Sequence, residues 1–257
     1  MRIIDLSCPV DAEAWEPDPV VHKILTPAEG AQHMAEEMQT HFGITFDISA
    51  LPGNELLSLD TFTLTSHTGT HVDAPAHYGS SAEYGQPRTI EQMPLDWFYR
   101  PAVVLDISDQ PVGAVGTEVL KKEIARIGYI PRPYDIVLLR TGASHLAGTP
   151  EYFTNFVGLD ASATNYLLDL GVKVIGTDAF SLDAPFKDML SRYQSTGDAG
   201  VLWPAHFVGR KREYCQIERL HNLDALPDAH GFRISCFPVK LVNSGAGWAR
   251  AVALVDG

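Results

Sequence analysis

One short stretch, SHTGTHVDAPAHYG at residues 66–79, crowds His67, His71, Asp73 and His77 into eleven positions of a chain with only ten histidines. An apolar core has no use for three imidazoles, because each brings two ring nitrogens that must be paired or hydrated. Gly69 and Pro75 interrupt regular structure, so the segment reads as a strand end turning into a loop, where functional groups are commonly held. On an uninterrupted helix Asp73 would face away from His67 and His71, whereas on a turning strand end all three converge. Two imidazoles and a carboxylate, here His67, His71 and Asp73, form a typical ligand set for Zn2+ or Mn2+ with positions left open for water and substrate. His77 need not be a ligand. Beside the activated water it would act as general base and then protonate the leaving group.

Such an ion brings the pKa of water down to about 7 and polarises a carbonyl. Hydrolysis of an amide or a strained lactam follows. The same ion could instead stabilise an enolate, with His77 shuttling a proton, and so promote ring closure. The site alone does not choose between the two.

The elements that must hold these groups are legible from periodicity. RIIDLS reads as a first strand. Thr26, Pro27 and Glu29 form a capping box ahead of Ala31, Met34, Met38 and Phe42, which predicts an amphipathic helix over 27–42. LLSLDTFTLTSH alternates and reads as a strand running straight into the histidine cluster. PAVVLDIS and YDIVLLRTG read as buried strands, and VKVIGTD as another. TEVLKKEIARIG predicts a helix capped by Thr117 and closed by Gly128, and LDASATNYLLDLG one capped by Asp160. CQIERLHNL, FRISCFPVKL and ARAVALVDG are strand-like. Strands dominate and helices punctuate, which predicts a mixed, β-rich α/β domain rather than a regular βαβ alternation.

Composition narrows the function classes. The 257 residues carry 32 acidic against 19 basic groups, a formal net charge of −13. That balance disfavours nucleic acid and anionic membrane surfaces as partners. No stretch approaches the ~20 apolar residues of a membrane span, and the aspartate at position 5 argues against a secretory signal. Cys8, Cys215 and Cys236 are odd in number and widely spaced, so they read as reduced thiols of a cytoplasmic protein.

HTGTHVDAPAH resembles the HxGTHxDxPxH signature of the cyclase superfamily that contains bacterial kynurenine formamidases, isatin hydrolases and cyclases of aromatic polyketide pathways. IIDLS, DIVLLRTG, VIGTDAFSLDAP, ERLHNL and FPVKL extend the resemblance over most of the chain. It implies an α/β fold with a mixed, barrel-like sheet of the swivelling β/β/α type, in one domain spanning 1–257 with a helical insertion at about 10–55. It implies His67, His71 and Asp73 as ligands of one ion and His77 as the acid–base. A second ion would be held by the same Asp73 with His206 and Glu218, which stand twelve residues apart. Asp178 in GTDAF follows an apolar strand and would contact substrate, support the ligands or play a purely structural part, with Asp183 a weaker candidate; His145, His221 and His230 read as surface groups.

Relatives of this kind are usually homo-oligomers, so a homodimer or larger assembly is expected. Compared with the short formamidases, the extra length at about 10–55 would form a lid or a dimer contact. Trp15, Phe42, Phe46 and Phe62 would stack on a planar substrate or pack in a core. The resemblance points to hydrolysis of a C–N bond in a small aromatic amide or cyclic amide. An aromatic polyketide cyclase is the second reading, and a small-molecule binding protein with a vestigial site the third.

Overall fold

The computed structural model describes residues 1–255, which form two compact units: Met1–Val10 together with Ser66 onward, and Asp11–Thr65. Strand β1 (Arg2–Asp5) opens the larger unit. The smaller unit holds β2 (Val21–Leu25), helix α1 (Pro27–Phe42) and β3 (Leu59–Thr63), with β2 and β3 paired antiparallel. Helix α1 starts at its expected capping box, in which the Thr26 amide donates to Glu29 Oε2 at 2.8 Å. It ends at Gly43, whose φ of 67° lies in the left-handed region that glycine adopts without strain. Phe42 and Phe62 lie on the surface of this unit, Phe62 stacking on His22, and Trp15 is exposed; none of the three is a core residue.

Back in the larger unit the chain forms β4 (His71–Asp73), the single-turn helix α2 (Pro75–Tyr78), β5 (Tyr99–Asp106) and β6 (Gly113–Val115). Next come α3 (Thr117–Ile127), β7 (Ile136–Arg140), β8 (Val157–Leu159), α4 (Ala161–Asp169) and β9 (Val174–Thr177). The last stretch holds α5 (Phe186–Thr196), α6 (Pro204–Val208), β10 (Cys215–Glu218), β11 (His230–Ser235), β12 (Ala246–Trp248) and β13 (Val252–Val255). Nine strands form one mixed sheet in the order β1-β13-β11-β5-β7-β9-β10-β4-β12, curled as a half-barrel. The central neighbours β5, β7, β9 and β10 run parallel, and the flanking pairs are antiparallel.

The apolar runs of the central strands are explained by burial on both faces. Ala102, Val104, Ile136, Leu138 and Val174 enter one core, while their neighbours Val103, Leu105, Val137, Leu139 and Ile175 enter the other, beneath Leu120 and Ile124 of α3 and Leu167 of α4. Alternation of side chains along a strand produces this sorting.

Two expectations need correction. The segment LLSLDTFTLTSH does not run as a strand into the cluster: β3 stops at Thr63, is exposed throughout, and belongs to the smaller unit. Its alternation marks an antiparallel partner of β2 rather than a half-buried strand. Thr117 is the first residue of α3 and not its cap; Gly116 holds the cap position, and the Thr117 amide donates to Ser162 Oγ.

Candidate metal centre

Alternation along two neighbouring strands builds the floor of the site. On β4, Val72 enters the first core, so His71 and Asp73 face the opposite side; on β10, Ile217 enters that same core and Glu218 turns with them. Antiparallel pairing sets Glu218 directly across from His71 and Gln216 across from Asp73. His67 stands in the turn before β4, His77 on α2, and His206 on α6. The expected turn into a loop is therefore a turn, a three-residue strand and one helical turn, which Pro75 begins rather than breaks.

Asp73 sits at the centre, fully buried. His67 Nδ1 lies 3.0 Å and His71 Nε2 3.4 Å from its Oδ1, while His206 Nε2 lies 3.9 Å and His77 Nε2 4.0 Å from its Oδ2. Glu218 spans the same two sides: Oε2 is 3.7 Å from His71 Nε2, and Oε1 is 3.8 Å from His206 Nε2. The predicted six therefore converge. Donor atoms of His67, Asp73 and His77 lie within 4.8 Å of one another, as do those of His71, Asp73 and Glu218. By distance, His77 thus shares a trio with His67 and Asp73, and His71 groups with Glu218.

Two of the imidazoles are oriented from behind. His71 Nδ1 donates to the Gly69 carbonyl at 2.8 Å, which leaves the lone pair on Nε2. That carbonyl is presented by a turn in which Gly69 has φ 68°, and a Cβ there would meet Val10 Cγ2 at 2.8 Å. His206 Nδ1 pairs with Asp183 Oδ2 at 2.5 Å, which aims Nε2 at Asp73 and Glu218. Asp183 also accepts from the backbone amides of Ala205 and His206, so one carboxylate seats the first turn of α6 and its histidine.

Buried His71 Nε2 and both Asp73 oxygens have no hydrogen-bond partner. Unpaired buried polar atoms are costly, and a divalent ion accepting two imidazoles and a carboxylate satisfies them. The residues present therefore fit a metal ion.

Electrostatics in the metal-free site are strained. Burial dominates His71 and His77 and pushes both pKa values down to about 4, so both imidazoles are neutral at pH 7. Burial also favours a neutral Asp73, but the imidazoles of His71, His77 and His67 outweigh it and hold this carboxyl below the usual carboxylate range. Glu218 is pushed up to about 7 by burial and by the Asp73 charge. For His206 burial acts downward, yet the bond to Asp183 and the nearby carboxylates overcome it and raise the pKa to about 9.

Asp178 lies apart from this cluster. Its carboxylate accepts from the Thr141 and Gly142 amides and from the Thr141 and Ser144 hydroxyls, tying the loop after β7 to the end of β9. His145 is exposed as expected; His221 and His230 are half-buried instead, His230 because it stacks on Tyr129.

A cavity of about 400 Å³ opens above the cluster, with His67, His77, His206 and Glu218 among its walls. Most of the remaining wall is aromatic, with Phe180, Phe186, Trp203 and Phe207 on it and the Phe186 and Trp203 rings 5.3 Å apart. This wall and the rim residue Arg210 escape a reading by motif, and Asp183 is reached only as a weaker candidate. Only Asp183 left a signal, as an acid directly before Ala-Pro in SLDAP; its partner is 23 positions away in the chain.

The fold is that of the isatin hydrolases. An isatin hydrolase bound to the product analogue thioisatinate superposes with a TM-score of 0.73 and 20% identity, covering 100% of this chain and 93% of that one. Isatin hydrolase A from Ralstonia solanacearum gives 0.72 and 22%, over 99% and 92%. Among curated relatives, the kynurenine formamidase of Salinibacter ruber is 27% identical over 76% of this chain and 79% of its own length. That of Erythrobacter litoralis is 29% identical over 76% of each. Residues 4–184 match the family described as "Putative cyclase", and the chain belongs to that family. The match includes the whole histidine stretch and ends before His206 and Glu218.

Proposed function

We propose that this protein is a metal-dependent hydrolase that opens a C–N bond of a small aromatic amide or cyclic amide. The observation that carries the reading is Asp73: a buried carboxylate with neither oxygen hydrogen-bonded, ringed by four imidazoles and Glu218 beneath an aromatic cavity. Its kynurenine formamidase relatives support the choice of bond. His67, His71 and Asp73 would hold one ion, and Asp73, His206 and Glu218 a second, with Zn2+ or Mn2+ suited to this nitrogen and oxygen set. When bound, the metal supplies Lewis-acid activation of water and of the scissile carbonyl.

The chain's own groups do the rest. The aromatic wall packs a planar substrate and excludes water. His77, neutral at pH 7 because of its burial, takes a proton from the attacking water at Nε2 and returns it to the departing nitrogen. The buried cysteines fit a reducing cytoplasmic setting, and we expect a homodimer or larger assembly in light scattering.

The test uses metal-replete protein with an aryl formamide and with isatin. Isatin should gain the mass of one water, the aryl formamide should split into an amine and formate whose masses together exceed it by one water, and His77→Ala should abolish turnover while the metal content stays at the wild-type level. Turnover that survives His77→Ala removes this residue from the mechanism. A product of unchanged mass, or one lighter by a water, would favour ring closure, as in the aromatic cyclases.

A further inference from the structure

Arg210 is the one lysine or arginine lining the cavity among the described residues. Everything else charged there is acidic or imidazole, in a protein whose formal net charge is −13. The guanidinium is anchored on two sides. Its Nε donates to the Tyr78 carbonyl at 2.5 Å, one residue beyond His77, and its carbon lies 3.9 Å from the Phe207 ring centroid. Neither terminal nitrogen has a hydrogen-bond or ion-pair partner among the described residues, although carboxylates are plentiful elsewhere on the chain.

The seat is shaped for this side chain. A Cβ on Gly79 would meet Arg210 Nε at 2.9 Å and Cζ at 3.4 Å, so glycine there permits the close approach. One nitrogen is used for anchoring and one face is covered by a ring, which leaves the two-pronged edge of a planar fork. That edge matches a carboxylate, whose two oxygens accept parallel hydrogen bonds.

We propose that Arg210 selects substrates in which the aromatic amide also bears a carboxylate, the aromatic body packing on Phe186 and Trp203 while the carboxylate meets the guanidinium. The inference rests on the hydrolase reading above and adds the substrate class. Arg210 is therefore a specificity-determining residue of this site. Because Arg210 is exposed at the rim, its replacement should leave the fold intact.

Two ratios on metal-loaded protein test it. The first is affinity for anthranilate over anthranilamide by calorimetry, which needs no turnover. The second is kcat/KM for N-formylanthranilate over formanilide. Wild type should favour the carboxylate member of each pair. Arg210→Ala should lower both ratios about tenfold to a hundredfold, as expected for loss of a charge-assisted pair, with the kinetic change in KM. Arg210→Lys should recover part of the preference, and Gly79→Ala, which displaces the guanidinium, should reduce it. Ratios unchanged in Arg210→Ala, or no preference in wild type, would overturn the proposal. If wild type turns over neither formamide yet the calorimetric ratio still falls in Arg210→Ala, the hydrolase reading fails and the carboxylate site stands.

Discussion

Asp183 does for His206 what the Gly69 carbonyl does for His71: it accepts the hydrogen bond of Nδ1–H and turns Nε2 toward the cluster. Removing such a partner from a metal-bound histidine costs about 10–100-fold in affinity. Asp183→Asn should therefore weaken metal binding by that factor in competition with a chromogenic chelator, while Asp178→Asn, remote from the cluster, should not. Protonation gives a second residue-scale prediction. His206 is raised to about 9 in the metal-free fold, so it contributes stability below its ordinary value near 6.5 that is lost as pH rises toward 9. An ion on Nε2 keeps this imidazole neutral in the folded state. The melting-temperature gap between metal-loaded and metal-free protein should then widen from pH 7 to pH 9, and a gap independent of pH would contradict the assignment of His206. The histidine stretch was legible because its donors are close in sequence and have no role in a core. Asp183 was obscure because tertiary packing, not spacing, brings it to His206.

Strand β8 carries the site's support at the level of elements. It passes so close to the segment bearing Asp183 that a Cβ on Gly158 would lie 2.2 Å from the Asp183 carbonyl carbon and 2.6 Å from the Ala184 nitrogen. The Leu159 amide also donates to the Leu182 carbonyl at 2.8 Å. Gly158→Ala must push that segment away. We expect a loss of about 1–3 kcal/mol in stability, typical of overpacking, together with weaker metal binding, measured by denaturant titration and by chelator competition. The long elements were readable, since VVL, IVLL and the Thr26 capping box carry strong local signals. Strands of three residues such as β6, β8 and β12 span too few positions for alternation to register. Helices α5 and α6 escaped because their aromatic residues line the cavity instead of forming a core stripe.

For the molecule as a whole, the sheet order matters more than any single strand. Placing β4 between β10 and β12 brings residue 71 beside residue 218, and the turn and helix flanking β4 add His67 and His77. Family resemblance and sheet alternation lead independently to the same cluster. With the buried carboxylates of Asp73 and Glu218 facing the same imidazoles, the metal-free protein leaves buried polar atoms unsatisfied, so stripping the ion with a chelator should lower the melting temperature as well as end turnover. The most direct measurement is an anomalous difference map from crystals grown with zinc or manganese. The account predicts a peak at about 2.0–2.2 Å from His71 Nε2 and from an Asp73 oxygen, absent in Asp73→Ala. A map featureless between these side chains, or a peak that persists in Asp73→Ala, would contradict it.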